Sequence, residues 1–350
     1  MKTYKSFITI LFIFSLLSGL FYFTDTEARQ QVNNQKVDFL RKIAKASREI
    51  SYSATIHKEY FYTQDSIGVY EKKVIKIDEG NMLQQFTYPE RRTNTITIKK
   101  GDVYYHKRLN SDTVYVTISS GVTNVGSEIS DDTYLLKRNY DFIFLRTEKI
   151  GKYVTDVVKV VSKYRDRDWL QMWVGPENGF IFRLERYDSE DKKVYQEYVE
   201  DVVLSPEINK ELFEIGEGKI ILESRRSDRK EYDNLADVET MWNKPLLVPK
   251  FTPSGFILER ISTFKRRNNN YIQLDYTDGL SYISLFQREA KGEKRDLGIG
   301  SSFEANKRIT RIIEIRNDVA LTLFSDLPED TLLSLFKSLM KKEDEEADSK

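Results

Sequence analysis

Apolar and polar positions alternate with a period of two along most of this chain, which is the spacing of strands with two distinct faces. The densest alternation lies between Asn139 and Val203. There Val154–Val161, Trp169–Val174, Phe180–Tyr187 and Val194–Val203 are separated by polar breaks at Lys163–Asp168, Gly175–Gly179 and Asp188–Lys193. Short breaks rich in Gly, Asn and Asp between β-branched and aromatic runs predict an antiparallel meander. Trp169, Gln171 and Trp173 share one face of their strand, and Leu170, Met172 and Val174 the other. Phe180, Phe182 and Leu184 oppose Ile181, Arg183, Glu185 and Tyr187. A sheet with an apolar face must be covered by a helix, another sheet or a ligand. In Lys36–Ile50 the apolar residues Val37, Leu40, Ile43, Ala44 and Ile50 recur at helical spacing, so an amphipathic helix there is the natural cover.

Strands are expected at Ser51–Thr63, Ile67–Ile77, Met82–Tyr88, Thr95–Ile98, Asp102–Lys107 and Thr113–Ile118. Ser119–Asp132 reads as a loop, and Asp132–Tyr140 as a short helix capped by Asp131 or Asp132. With the meander they make one curved antiparallel sheet over residues 36–215, closing with a short helix at Ser205–Ile215. Gly216–Lys244 is a charged linker. A smaller α+β domain is expected over 245–342. It has a strand at Phe256–Phe264 and a hairpin of Tyr271–Tyr276 and Leu280–Gln287. The turn Thr277-Asp278-Gly279 of that hairpin calls for positive φ at Asp278 and Gly279. A second hairpin crosses Asn317-Asp318, the helix Leu327–Lys342 follows, and residues 343–350 form an acidic, disordered tail. The fold class is therefore α+β.

Composition narrows the function. The 350 residues carry 55 basic and 55 acidic side chains, which is not the basic excess of a nucleic-acid binder. With no cysteine and only His57 and His106, thiolate chemistry and a His-rich metal site are excluded. No GxGxxG, P-loop, HExxH or GxSxG motif is present, so neither an enzyme nor a cofactor is expected. Gly298-Ile299-Gly300-Ser301 reads as a flexible tip, Glu197/Glu200 and Asp131/Asp132 as solvated carboxylates, and His57 as a solvated or sheet-edge residue. Lys2 and Lys5 precede an apolar run, Phe7–Phe23, and Ala28 follows. This is the pattern of a secretory signal over 1–28, or of an uncleaved anchor, which places the body outside the cytoplasm.

The aromatic fraction is 13%. Tyr52, Ile56, Tyr60, Trp169, Trp173, Phe180 and Phe182 are candidates to line a groove between the curved sheet and its helix, a site suited to acyl chains. The same residues also suit a plain core under that helix.

Asn139-Tyr140-Asp141-Phe142-Ile143 with the strands to Val203, Pro253-Ser254-Gly255-Phe256 and Tyr276-Thr277-Asp278-Gly279-Leu280-Ser281 resemble the MucB/RseB family in order and spacing over roughly residues 36–342. The resemblance implies a LolA/LolB-like half-barrel with helices over its concave face, followed by the smaller domain. It implies a periplasmic regulator of an extracytoplasmic-function sigma factor. Such a protein binds the periplasmic region of a membrane-bound anti-sigma factor, shields it from proteolysis, and senses lipid or lipopolysaccharide in the groove. The second domain is then the main partner surface, with Tyr276, Asp278, Gly279, Leu280, Tyr282 and Phe286 as candidates. A homo-oligomer is compatible with this reading. A periplasmic carrier of lipid or lipoprotein acyl chains is the alternative.

Overall fold

The computed structural model describes residues 38–341 except 64–65, 79, 119–132, 166, 217–218, 223–228, 243, 245, 267–268, 294–296 and 305–306. The expected signal segment, the pair Asp131/Asp132, the expected loop at 119–132 and the expected tail lie outside the described residues.

Helix α1 (residues 38–49) precedes the first sheet. The alternating segments become β1 (Tyr52–Thr63), β2 (Ser66–Lys76), β3 (Asn81–Tyr88), β4 (Thr95–Lys100), β5 (Val103–Arg108), β6 (Thr113–Ile118), β7 (Tyr140–Ile150), β8 (Tyr153–Ser162), β9 (Trp169–Val174), β10 (Ile181–Tyr187) and β11 (Lys193–Leu204). With β12 (Lys219–Leu222) they form a twelve-stranded sheet ordered β12-β6-β5-β4-β3-β2-β1-β11-β10-β9-β8-β7, curved and not closed into a barrel. Every pairing is antiparallel except β12 on β6. Closing the meander onto the first hairpin places β11 beside β1, with Tyr195 opposite Tyr60 and Val199 opposite Ile56.

A seven-stranded sheet follows, built from β13 (Lys230–Tyr232), β15 (Ile257–Arg266), β16 (Asn269–Thr277), β17 (Tyr282–Glu289), β18 (Gly298–Glu304), β19 (Lys307–Arg316) and β20 (Val319–Ser325), in the order β13-β15-β16-β17-β20-β19-β18. A two-stranded ribbon joins β14 (Leu247–Pro249) to β21 (Leu339–Lys341). The expected linker thus supplies an edge strand to each sheet, and the expected glycine-rich tip is β18.

Among the described residues the other helices are few and short: α2 (Glu90–Thr93), α3 (Thr133–Asn139), α4 (Leu235–Glu239) and α5 (Glu329–Lys337). The expected helix at Ser205–Ile215 is one 3-10 turn, Lys210–Phe213. Sheet therefore outweighs the helical share an α+β class implies. No helix of the described residues is long and apolar enough to cross a membrane.

The two expected turns differ. Asn317 and Asp318 both take positive φ, 51° and 60°, as a two-residue hairpin requires. In the other turn only Gly279 does, at 109°; the connection is the longer Asp278–Ser281, and the Asp278 carboxylate accepts from the N–H groups of Leu280 and Ser281. An Asx-type loop replaces the tight turn because Asp278 is drawn into a larger contact, described below.

Candidate functional site

Helix α1 lies on one face of the twelve-stranded sheet. Its apolar stripe, Leu40, Ile43, Ala44 and Ala46, is buried. Leu40 and Ile43 share one core cluster with Val158, Val160, Leu170, Met172, Val174, Ile181, Leu184 and Tyr195. The contact is close enough to need a glycine: Gly179 has φ +73°, and a Cβ there would sit 2.4 Å from the carbonyl carbon and oxygen of Lys42. Lys42 Nζ donates to the Pro176 carbonyl at 2.9 Å. At the other end of α1 the buried Lys76 ammonium donates to the carbonyls of Arg48 and Ile50, both at 3.0 Å. It satisfies orphan acceptors and places a cation at the negative end of the helix dipole.

What remains beneath the cover is a cavity of about 30 Å³, bordered by Ile43, Ala46, Tyr52, Ile56, Phe180 and Val199. That volume suits a water or two. Sites for larger ligands run to roughly 300–1,000 Å³.

The seven groove candidates separate. Tyr52, Ile56 and Phe180 border the cavity. Tyr60 lies farther along the same strand, its ring 5.1 Å from Tyr195 and 5.5 Å from Tyr70. Phe182 is core, 1% exposed, packed between Phe180 and Tyr153. Trp169 and Trp173 stand on the opposite, outer face. Trp169 stacks on Tyr187 at 4.0 Å beneath Lys159 at 3.7 Å, and donates to Asp191. Trp173 lies under Arg183 at 4.7 Å and donates to Glu148. The reason is alternation: the aliphatic set Leu170, Met172 and Val174 meets the aliphatic stripe of α1, which leaves the indoles where their N–H groups reach carboxylates.

A polar strip runs along the covered face and was missed in the sequence. Glu197, read as solvated, is 5% exposed, paired with Lys58 at 2.7 Å and hydrogen-bonded by the Tyr195 hydroxyl. Lys72 donates to Gln84 at 2.9 Å, and burial with the nearby Lys58 charge pushes its amine down to about 8. Burial, then the Glu197 charge, pushes the Tyr52 and Tyr60 hydroxyls up. The only signal for Glu197 was its place on the same strand face as Tyr195 and Val199. His57 is also less exposed than expected; it stacks on Tyr198 between Glu71 and Glu200, 3.3 and 3.1 Å away.

In the seven-stranded sheet one face is core. Leu274, Leu285, Leu321, Leu323 and Ile312 pack under α5 and the β14–β21 ribbon, and Gln287 pins that ribbon by accepting from the Leu247 N–H at 2.9 Å and donating to its carbonyl at 2.8 Å. The other face carries a row of half-buried rings. Tyr271 stacks on Phe264 at 5.1 Å, Phe264 meets Phe286 edge-on at 6.2 Å, and Phe286 meets Phe324 at 5.6 Å. Arg229 lies over Phe264 at 5.1 Å, and Arg260 pairs with Asp275 at 2.8 Å. Burial and the Arg260 charge push the Arg229 guanidinium down. Such a face offers flat apolar area with cations at its border, suited to a polypeptide partner.

The partner candidates also separate. Phe286 is central to the aromatic row, and Tyr282 shares its strand face. Tyr276 is buried in the core beneath. Asp278, Gly279 and Leu280 are used within the chain. The Tyr140 hydroxyl donates to Asp278 at 2.8 Å, and Asn139 Nδ2 donates to the carbonyls of Asp278 and Gly255 at 2.8 and 3.0 Å. The Arg167 guanidinium stands 3.5 Å from Asp278. Leu280 joins the core of the first sheet, and a Cβ on Gly279 would meet Leu135 and Leu136 at 3.1 Å. This loop is the bolt between the two sheets. Burial and the Asp278 charge push the Tyr140 hydroxyl up.

No protein-family model matches the chain, and no curated protein matches it. Solved structures do. It is similar to a chain of the Pseudomonas aeruginosa MucA/MucB complex, with 13% identity and a TM-score of 0.59, covering 87% of this chain and 98% of that one. MucB in complex with MucA(peri) gives 14% and 0.56 with the same coverage, and MucB alone 13% and 0.50. The chain therefore shares the MucB fold through both sheets, as the family resemblance implied.

Proposed function

We propose that this chain is a periplasmic regulator that binds the extracytoplasmic region of a membrane-bound anti-sigma factor and shields it from proteolysis. The carrying observation is the MucB fold over 98% of a chain seen in complex with MucA. The open row Phe264, Phe286 and Phe324 supplies the docking face, with Tyr282 at its end and Arg229 and Arg260 at its border. The first sheet is the sensor: lipid or lipopolysaccharide enters by displacing α1, because the cavity beneath it is far too small for an acyl chain. Tyr52, Ile56, Tyr60 and Phe180 would line the opened groove, with Lys58, Lys72 and Glu197 along it as a polar strip. Shielding is binding, so the chain needs no catalytic group.

The test is affinity capture with the full chain from a detergent-solubilised envelope extract, with retained proteins and lipids both identified. Retention of a single-span membrane protein with a sigma-binding cytoplasmic end is expected. Retention of lipids or lipoproteins alone would overturn the regulator reading in favour of the carrier.

A further inference from the structure

The edge of the twelve-stranded sheet at β7 is unusual. Ile143, Phe144 and Leu145 stand in succession there, 46%, 49% and 43% exposed. Long edge strands are ordinarily blunted by charge, proline or a covering element, since their unpaired N–H and C=O groups recruit other strands. β7 runs 11 residues, and its exposed stretch continues through Thr147.

The register against β8 shifts between Phe144 and Arg146. A bulge breaks the regular row of backbone groups that an added strand needs, so edge pairing with a partner or a second copy is disfavoured. It leaves a run of side chains, not a backbone ladder, as the contact surface.

The surroundings say which contact fits. Along the same hairpin Arg146, Lys149 and Lys152 are exposed, and Val154, opposite Lys149, is 46% exposed. Arg146 is engaged by Glu148 at 2.6 Å, while Lys152 lies over the Tyr153 ring. On neighbouring α3, Tyr134 is 61% exposed and Arg138 is exposed too. Bulky apolar and aromatic groups bordered by cations suit the headgroup boundary of an anionic bilayer. The chain also enters here: Phe39, in the first turn of α1, meets Phe142 and Phe144 edge-on at 6.1 and 5.4 Å. Upstream lies the apolar run Phe7–Phe23, and the residues between it and α1 span at most roughly 50 Å when extended.

We propose that the β7–β8 edge is a membrane-contact surface. Ile143, Phe144, Leu145 and Val154 enter the headgroup boundary of an anionic bilayer, and Lys149 and Lys152 lie against its phosphates. The open aromatic face of the other sheet is then presented at a fixed attitude to the membrane.

The absence of native cysteine makes the test clean. Full-length Ile143→Cys, Leu145→Cys and, on the opposite edge strand, Ile220→Cys each carry one environment-sensitive fluorophore. They are compared with and without phosphatidylethanolamine–phosphatidylglycerol vesicles. Blue-shifted emission and shielding from an aqueous quencher are expected at 143 and 145 on vesicles, and not at 220. Combining Lys149→Glu with Lys152→Glu lowers the shielded fraction on these vesicles and leaves it unchanged on neutral phosphatidylcholine. Reporters at 143 and 145 as accessible as that at 220 would overturn the proposal. So would shielding without vesicles that grows with protein concentration, which would mean that a second copy covers the edge.

Discussion

The outer faces of the two sheets carry aromatic residues to opposite ends. On the twelve-stranded sheet they are Trp169, Trp173 and Tyr187, and each is answered within the chain: Trp169 by Tyr187, Lys159 and Asp191, Trp173 by Arg183 and Glu148, Tyr187 by Glu185. On the seven-stranded sheet Phe264 is stacked by Tyr271 beneath Arg229, but Phe286 and Phe324 meet other phenyl rings. An aromatic ring with a polar tip can be finished at a surface by its neighbours, whereas a Phe row at a surface stays half-wet until something covers it. The first face is satisfied by its own neighbours, and the second leaves half-buried phenyl rings, which is why it is the proposed partner face. The covered faces contrast as well. The second sheet's is mainly apolar under α5, with Gln287 on it and Arg316 over the Phe336 ring, while the first sheet's contains Lys58, Lys72, Lys76 and Glu197 beneath a cover held partly by one ammonium. Buried charge is a poor way to maximise stability. The larger set of charges lies under α1, which is why α1 is the cover proposed to lift.

The severest way to break this arrangement is at the bolt between the sheets. Asp278→Ala strands the buried Arg167 and removes the acceptor of the Tyr140 hydroxyl and two backbone N–H groups. A loss of about 3–5 kcal/mol is expected by chemical denaturation. A loss under about 1 kcal/mol would mean that the loop does not bind the sheets together.

Next is the latch on α1. Lys76→Met leaves the Arg48 and Ile50 carbonyls without their donor, and about 1–3 kcal/mol should be lost. Amide exchange should accelerate in α1 and not in α5; equal acceleration in both helices would contradict a separately liftable cover.

Lys72→Met sharpens the contrast in the opposite direction. The folded amine titrates near 8 against 10.5 for the free side chain. Below pH 8 the folded chain bears the full cost of holding the charge. Between about 8 and 10.5 the unfolded chain binds the extra proton, so that cost fades as pH rises. The substitution should therefore stabilise by roughly 1–2 kcal/mol at pH 7, net of the lost bond to Gln84, with the gain vanishing toward pH 10.5 in paired thermal melts. A gain independent of pH would assign the effect to packing alone.

Phe324→Ser, on the open face, should change stability least, by under about 1 kcal/mol, because its ring is only half-buried.

Period-two alternation made most of the longer strands legible, but not β7, β18 or the short β12, β13, β14 and β21, and the spacing of Leu40, Ile43 and Ala44 made α1 legible as cover. Alternation also split Trp169 and Trp173 from Leu170 and Met172, but nothing local says which set faces inward; that depends on which matches the helix laid over it. Lys76, Lys72 and Glu197 sit in ordinary alternating strands, and the full burial of Lys76 and Glu197 and partial burial of Lys72 come from elements far away in sequence. Asp278-Gly279 reads as a hairpin turn because the dipeptide is a strong local signal. Its actual conformation answers to Tyr140, Asn139 and Arg167, more than a hundred residues away. Gly298–Ser301 reads as a flexible tip, yet pairing with β19 makes it a strand.

The central claim is that the Phe row of the seven-stranded sheet is the partner face. The direct measurement is quantitative envelope capture with the full chain, comparing wild type, Phe286→Ser and Trp169→Ala at matched folded fraction. Loss of a central interface ring costs about 2 kcal/mol or more, so Phe286→Ser should retain the proposed single-span membrane partner roughly thirtyfold less tightly, with Trp169→Ala close to wild type. Equal retention by Phe286→Ser and wild type, or loss with Trp169→Ala instead, would contradict it.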